Sequence, residues 1–284
     1  MANLMGISKK TYLVFLSPAI ILYFCFVLAP IAVSLIYSFT DLTGFNPHFK
    51  IIGIENWVRL IKDSRLWNSV KVTLIFTVIL SASSNLLAIL LAFILEKLSH
   101  KLVKNTARSI FLLPTVLTPV IVGFIWYYIF MAFKSISNVD LVGTSKSLYG
   151  IILVTMWLHM GICLIIYIAA MNNVSTDLYE SASIDGATSL QSFLHITVPL
   201  IVPAFLLNIV NTLILGFRQF DQIWSMTKGG PGTSSETMSL YIYYIALRNN
   251  DYGYGSAIAF LLFIMVMVIS VFIIKFFKSK EVDK

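Results

Sequence analysis

The composition of this chain of 284 residues excludes an ordinary soluble domain, because 58% of its residues are hydrophobic and only 12% are charged. Soluble globular domains carry about 25% charged residues. The formal net charge of +7 is typical of a membrane protein with basic flanking segments. Its basic residues do not cluster among aromatic residues, so we expect no binding to nucleic acid.

Uncharged apolar runs predict an all-α integral membrane protein with six transmembrane helices. A helix needs roughly 20 residues to cross about 30 Å of hydrocarbon, and each run is long enough. We expect kinks at the prolines that interrupt them, Pro18, Pro30, Pro114 and Pro119. The predicted spans cover residues 12–39, 72–95, 109–133, 148–171, 198–217 and 255–274, in a single membrane domain over residues 1–284.

An even number of spans places both termini on one side of the membrane. Lys and Arg residues are shared equally between the two sides, but those on the side of the termini lie in shorter segments. Basic residues concentrate in short cytoplasmic loops, so the charge density favours cytoplasmic termini.

The first outer loop contains a segment with apolar residues at helical spacing. Ile54, Trp57, Val58 and Ile61 fall on one face of a helix over residues 53–61. We expect a short helix at the membrane interface, with Trp57 at the level of the headgroups.

The polar segment over residues 172–197 predicts a rigid elbow of helix, tight turn and helix. Asp177 with Glu180, and Thr188 with Gln191, have the spacing of capping boxes. Gly186 lies between them and can adopt the left-handed conformation that ends a helix.

Neutral polar side chains within the spans suit the path of an uncharged polar solute. On the fifth span, Asn208, Asn211, Thr212, Leu215 and Gln219 recur at spacings of three and four, with Gly216 beside them. The fourth span adds Trp157 and His159, and the second adds Ser81, Ser84 and Asn85. Hydrogen bonding between helices is the alternative role for these groups.

The chain offers no group typical of an enzyme. It has no phosphate-binding loop of the G-x-x-x-x-G-K-[ST] type, so we expect that this chain does not bind ATP by that mechanism. Cys25 and Cys163 fall in predicted spans, where we expect inert core thiols and no metal. A stand-alone secondary carrier of a polar solute is one candidate function. Such a carrier binds a coupling ion through charged residues in its spans, and the predicted spans contain no Asp, Glu, Lys or Arg.

Three motifs resemble those of permease subunits in carbohydrate-uptake ABC importers. Residues 180–187 with Ile196 and Pro199 match the EAA loop, E-x-A-x-x-D-G-A followed by I-x-x-P, with Ser181 where alanine is commoner. Residues 220–231 are similar to the element F-D-x-I-x-x-x-T-x-G-G-P, and residues 53–57 to G-x-E-N-[WY]. The resemblance implies the type I importer fold and transport by alternating access. It also implies that the chain is a transport subunit and not an enzyme, because ATP hydrolysis belongs to a partner chain.

The same resemblance assigns roles to residues and partners. It implies coupling to an ATPase through Asp177, Glu180, Ala182, Asp185, Gly186 and Ala187. It implies sugar contacts at Thr212, Leu215, Gly216 and Gln219, and contact with an extracellular binding protein at Gly229, Gly230 and Pro231. The expected partners are a second, homologous permease in a heterodimer, a dimer of cytoplasmic ATPases that bind ATP and Mg²⁺, the sugar-binding protein and the bilayer of a bacterial-type cell membrane.

Overall fold

Helices make up the regular secondary structure of residues 9–44 and 49–278, which the computed structural model describes, apart from two isolated β-bridges. The first eight are α1 (Lys9–Tyr23), α2 (Ala29–Tyr37), α3 (Glu55–Lys62), α4 (Ser64–Glu96), α5 (Lys101–Leu112), α6 (Pro119–Ser137), α7 (Ser147–Asn172) and α8 (Thr176–Ile184). The others are α9 (Ser189–Ser192), α10 (Val198–Leu200), α11 (Val202–Phe217), α12 (Asp221–Met226), α13 (Met238–Ile242) and α14 (Tyr252–Lys278).

The apolar helices confirm the prediction of an all-α membrane fold. Five described stretches are long and apolar enough to span a bilayer, namely Leu13–Tyr37, Ser64–Glu96, Pro119–Ser137, Ser147–Asn172 and Tyr252–Phe277. A bent pair of helices, Ser189–Leu200 and Val202–Phe217, meets at an angle of 69° and brings the number of spans to six if the pair counts as one span. The side of the membrane on which the termini lie stays a prediction.

The third predicted span, over residues 109–133, is wrong in its boundaries. The chain forms α5, a 3₁₀ turn at Leu113–Val116 and then α6. Leu117 and Thr118 are extended, with ψ of 143° and 125°. Pro119 restrains Thr118, the residue before it, to extended backbone, and both Pro114 and Pro119 lack the amide hydrogen that would continue the helical bonds.

The fifth predicted span, over residues 198–217, is not one straight helix either. A π-helical turn at Phe193–Thr197 precedes α10, and Ile201 (φ −94°, ψ 10°) separates α10 from α11. Pro199 and Pro203 stand on either side of this break and leave carbonyl groups without helical donors. The apolar run was therefore longer than the uninterrupted helix.

Residues 9–63 and 242–263 belong to one compact unit. Its helix α3 confirms the short helix predicted in the first loop, and Asn56 anchors it by donating to the carbonyls of Ser38 and Thr40 at 3.0 and 2.9 Å. The Arg59 guanidinium forms an ion pair with Asp251 at 2.7 Å and lies 3.8 Å from the ring centre of Tyr254. Within this unit Cys25 is exposed, so the prediction of a core thiol at that position is wrong.

Residues 64–241 and 264–278 belong to the second unit, which carries the predicted coupling and substrate residues. Its core packs the C-terminal half of α4 against α7, through small residues that let the helices approach. Ala88 and Ala92 on α4 are fully buried in the same cluster as Leu164 and Tyr167 on α7. The free thiol of Cys163 lies in this cluster, as predicted for that cysteine.

Gly161 gives the first testable prediction. A Cβ at this position of α7 would lie 2.2 Å from the carbonyl oxygen of Phe111 and 3.1 Å from the Cα of Leu112, both backbone atoms that cannot rotate away. Helix propensity alone would make Gly161→Ala stabilising by about 0.5–1 kcal/mol. We expect the overlap to win, with a net loss of about 1–3 kcal/mol, as in overpacked cores.

The thermal midpoint of the detergent-purified protein measures this effect. Ala82→Ser, which adds one atom at an exposed position of α4, is the matched control. A higher midpoint for Gly161→Ala than for the unmodified chain would contradict the close contact.

Candidate functional site

The elbow begins at a different cap from the one predicted. The Ser175 side chain accepts a hydrogen bond from the Asp177 amide at 3.3 Å, which makes Ser175 the N-cap of α8. The predicted capping box of Asp177 and Glu180 is therefore wrong, because both residues lie inside the helix. Asp177 instead occupies the first turn, where its negative charge is favourable to the helix dipole.

The turn of the elbow closes with a left-handed glycine, as predicted. Gly186 has φ of 77°. Its amide donates to the carbonyl of Ser183 at 3.1 Å, and the amide of Ala187 donates to the carbonyl of Ala182 at 2.9 Å. This pair of bonds is a Schellman motif, which satisfies the last carbonyl groups of α8.

The second capping box is confirmed. The Thr188 hydroxyl accepts from the Gln191 amide at 3.3 Å, and the Gln191 side chain accepts from the Thr188 amide at 2.7 Å. The turn thus passes directly from the end of one helix to the cap of the next, with its backbone groups paired.

The elbow presents acidic and apolar side chains together. Asp177, Glu180, Asp185 and Gly186 are exposed, whereas Ala182 and Ala187 are half-buried. Ile184 is 87% exposed and lies immediately before Asp185. Ile184 was not among the predicted coupling residues, although an isoleucine at the last position of a polar helix, beside a tight turn, was the available signal. Single exposed apolar side chains are common on protein surfaces, but Leu178 and Leu190 of the same elbow are exposed as well.

The base of the elbow is attached to the end of α4. The rings of Phe193 and Phe93 are 4.2 Å apart between their centres, and the Lys97 ammonium lies 4.0 Å from the centre of Phe93. Glu96 accepts from Lys104 and, at 2.7 Å, from Arg108, so it also ties α4 to α5. These contacts line a cavity of about 620 Å³ between the elbow and the end of α4.

Three residues predicted for the substrate path lie between helices. Thr212 is 4% exposed and hydrogen-bonds to Ser81 at 2.8 Å and to Asn85 at 3.1 Å, both on α4. Asn208 is fully buried and donates to the carbonyl of Cys163 on α7 at 3.1 Å. Gly216 is buried where a Cβ would lie 2.7 Å from the Thr77 hydroxyl. The alternative of hydrogen bonding between helices is thus realised for this row.

The five predicted positions of the fifth span, four polar and one apolar, differ in their burial although their spacing places them within one wide face. Asn208, Thr212 and Gly216 recur at intervals of four and are buried against α4 and α7. Asn211 is exposed and Leu215 is half-buried, so these two residues form a second row on a different side of α11. The shared spacing placed the two rows within one wide face, and packing divides it.

The remaining predicted path residues are dispersed. Gln219 is 5% exposed, donates to the side chain of Gln222, and its carbonyl accepts from the Thr237 hydroxyl at 2.9 Å. Trp157 is partly exposed and packs edge-on against Trp126 at 5.6 Å between ring centres. His159 is half-buried on another side of α7 from Trp157.

The loop that contains Gly229, Gly230 and Pro231, the Gly230 loop, is bonded to α4. Arg65 donates two hydrogen bonds to the carboxylate of Glu236, at 2.9 and 2.7 Å, and that carboxylate side chain is only 2% exposed. The Met238 amide donates to the Thr73 hydroxyl at 2.9 Å. These bonds explain why α4 begins at Ser64, well before the predicted span, since its first polar turns bind the loop.

The segment between α6 and α7 contacts the Gly230 loop as well. The Lys134 ammonium, 2.6 Å from Asp140, and the amides of Gly143 and Val142 stabilise the Asp140 carboxylate and lower its pKa to about 2. Val142, Gly143, Gly230 and Pro231 share a groove of about 460 Å³ with aromatic residues of α6. The Ser147 hydroxyl donates to the Gly230 carbonyl at 2.9 Å, so the loop is fixed from α7 as well.

Cysteine labelling tests the division of α11 into a buried and an accessible row. In a background with Cys25→Ser and Cys163→Ala, we expect Leu215→Cys to react with a small polar thiol reagent at least ten times faster than Thr212→Cys, because Thr212 is covered by α4. The rates are measured by mass spectrometry on the purified protein. Faster labelling at Thr212→Cys would mean that α11 is rotated relative to the arrangement described.

Comparison with known proteins places the sequence among membrane transport components. The family model of the binding-protein-dependent transport system inner membrane component matches residues 84–282. A probable starch degradation products transport system permease protein of Thermoanaerobacterium thermosulfurigenes is 34% identical, over 96% of this chain and 95% of the relative. A multiple sugar-binding transport system permease protein of Streptococcus mutans is 30% identical, over 94% and 95%.

Solved structures share the fold along nearly the full length. A bacterial ABC transporter involved in the import of the acidic polysaccharide alginate gives a TM-score of 0.80 at 24% identity, covering 95% of this chain and 96% of that chain. The same type of transporter, in complex with an alginate pentasaccharide-bound periplasmic protein, gives 0.79 at 24% identity, covering 93% of both chains. The chain therefore belongs to the family of binding-protein-dependent transport system inner membrane components, and it is a multi-pass permease subunit of an ABC importer, a transport component rather than an enzyme.

Proposed function

We propose that this permease imports a sugar or oligosaccharide across a bacterial-type plasma membrane, as one half of a heterodimer with a second, homologous permease. The observation that carries the substrate class is the 34% identity, over 96% of the chain, to a permease named for starch degradation products. A permease named for trehalose and maltose, from Thermococcus litoralis, is 29% identical over 94% of the chain and supports the same class.

The elbow is the site at which a separate ATPase drives the permease. Its carboxylates at Glu180 and Asp185 are exposed beside the apolar tip of Ile184, so charge and apolar area are offered on one small surface. A rigid tip of this kind suits a cleft with basic and apolar walls. In this proposal both termini are cytoplasmic, and ATP with Mg²⁺ binds only to the ATPase dimer.

The sugar passes along the accessible row of α11. Asn211 offers an amide for hydroxyl groups, and Leu215 offers apolar surface to the ring faces of a sugar. The buried row formed by Asn208, Thr212 and Gly216 supports this path by holding α11 in place. Gln219 keeps a positioning role at the outer end, through its bonds to Gln222 and Thr237.

The Gly230 loop receives an extracellular sugar-binding protein at Gly229, Gly230 and Pro231. Support comes from its rigidity, since Arg65, Asn68 and Ser147 all hydrogen-bond within residues 230–236. Because the loop is ordered before contact, docking costs little conformational entropy.

Glu180→Lys tests ATPase docking and the substrate class together. Cells that express the complete importer are offered a radiolabelled panel of maltose, maltotriose, trehalose and arabinotriose. We expect uptake of at least one panel sugar by the unmodified importer, and a fall of at least tenfold, about 1.4 kcal/mol, in the variant. The physical reason is that a reversed charge on the exposed elbow repels a basic cleft.

Asn173→Lys adds a positive charge at an exposed position before α8 and is the matched control. Normal co-purification of the ATPase with the Glu180→Lys permease would contradict docking at the elbow. Absence of uptake for every panel sugar, with a fully assembled importer, would contradict the substrate class and leave docking unaffected.

Gly186→Val tests whether the turn of the elbow is needed for coupling. Left-handed backbone costs a residue with a Cβ about 1–2 kcal/mol, and a β-branched residue more. A Cβ added at Gly186 would meet no atom of the described residues within 4 Å, so this conformational cost is the expected effect. We expect less sugar uptake per assembled complex in Gly186→Val than in the control Ala187→Val. Equal uptake by the two variants would remove the turn from the mechanism.

A further inference from the structure

A single hydrogen bond connects the two arms of the elbow at its base. The hydroxyl groups of Tyr179 and Thr197 lie 2.8 Å apart, although the two residues are 18 positions apart in the chain. Tyr179 lies in the middle of α8, which carries the exposed carboxylates. Thr197 ends the π-helical turn that leads through α10 into α11.

This bond differs from the other hydrogen bonds of the elbow in what it joins. The Schellman bonds at Gly186 and the capping box at Thr188 are local and fix only the turn itself. The bond between Tyr179 and Thr197 closes the open end, so α8, the turn and the returning segment form a closed triangle. A triangle keeps its angles under load, whereas two arms that meet only at a turn can flex about it.

The surroundings favour a bond that stays made. Thr197 is 4% exposed and Tyr179 is half-buried, so water competes poorly at the threonine end. A buried hydroxyl without a partner is costly, and this cost holds the tyrosine in place. Both residues also line the cavity of about 620 Å³ beside the end of α4, so water reaches the bond from the tyrosine side and close packing does not support it there.

We propose that the bond between Tyr179 and Thr197 is the strut through which movement of α8 reaches the fifth span. The proposal rests on the proposed docking of an ATPase at the elbow. Load applied at Glu180 and Ile184 enters α8 and crosses the strut into Thr197, the last residue before the broken start of the fifth span. Without the strut the same load bends the turn, and ATP hydrolysis continues without movement of α11.

The test compares variants that differ in one hydroxyl group within the complete importer. Tyr179→Phe and Thr197→Val each remove one partner of the bond, whereas Thr197→Ser keeps the hydroxyl and removes only a methyl group. The readout is the number of panel sugar molecules imported per ATP hydrolysed, with the permease reconstituted alongside its ATPase and binding protein. A merely structural defect lowers transport and hydrolysis together and leaves this ratio unchanged.

We expect the ratio to fall roughly threefold to tenfold in Tyr179→Phe and in Thr197→Val, as for the loss of one buried hydrogen bond. The double variant should fall no further than the worse single variant, because both changes remove the same bond. Thr197→Ser should retain the ratio of the unmodified importer. Tyr149→Phe, on an exposed tyrosine of α7, is the control for loss of a phenolic hydroxyl.

An unchanged ratio in both Tyr179→Phe and Thr197→Val would overturn the strut, as would additive losses in the double variant. Should Tyr179→Phe assemble poorly, the comparison of Thr197→Val with the unmodified importer decides, since valine replaces only the hydroxyl group of Thr197 by a methyl group of similar size. Failure of the strut is distinct from failure of docking. Docking is judged by co-purification with Glu180→Lys, and the strut by the transport ratio of complexes that assemble fully.

Discussion

The hydrogen-bonded seam between α4, α7 and α11 is the constraint on which the second unit depends. Asn85 stands at its centre, donates to Thr212 at 3.1 Å and accepts from the Tyr167 hydroxyl at 2.7 Å. Hydrocarbon offers no partner to these groups, so they must pair with one another before the helices can lie in a membrane. Each such bond contributes only about 0.6 kcal/mol on average, but together they fix the rotation of all three helices. Gly216 completes the seam by letting α11 approach Thr77 closely.

Fixing the rotation of α11 decides which side of it is available for transport. The polar side chains of Asn208 and Thr212 are hydrogen-bonded within the seam. The row with Asn211 and Leu215 is therefore the one that stays accessible. The break at Ile201 lets the segment below it change direction by 69°, so the elbow returns to the end of α4 instead of continuing along the seam. One helix of uniform direction could not both join the seam and place Phe193 against Phe93.

The sequence was sufficient for features that depend on local chemistry. Length and apolar content identify the spans, and the left-handed turn at Gly186 and the cap at Thr188 follow from a few neighbouring residues. It was insufficient where two local solutions compete or where a partner is distant. Ser175 displaces Asp177 as a cap because both fit the start of α8, and the breaks near Pro114 and Ile201 lie inside apolar runs without a polar boundary. Whether Thr212 faces Ser81 or a cavity depends on a helix 131 positions away, which periodicity along one helix does not contain.

Helix α4 joins the two predicted working surfaces of the permease. At one end Arg65 and Thr73 hydrogen-bond to the Gly230 loop and the residues that follow it. At the other end Phe93 packs against the elbow and Glu96 forms an ion pair with α5. Its 33 residues contain neither Pro nor Gly and span about 50 Å, so the usual causes of a kink are missing along its length. The fifth span, which carries the proposed sugar contacts on α11, is instead bent by 69° beside Ile201. An unbroken helix held at both ends is the element best suited to move the Gly230 loop and the elbow together, while the bent fifth span beside it changes its position.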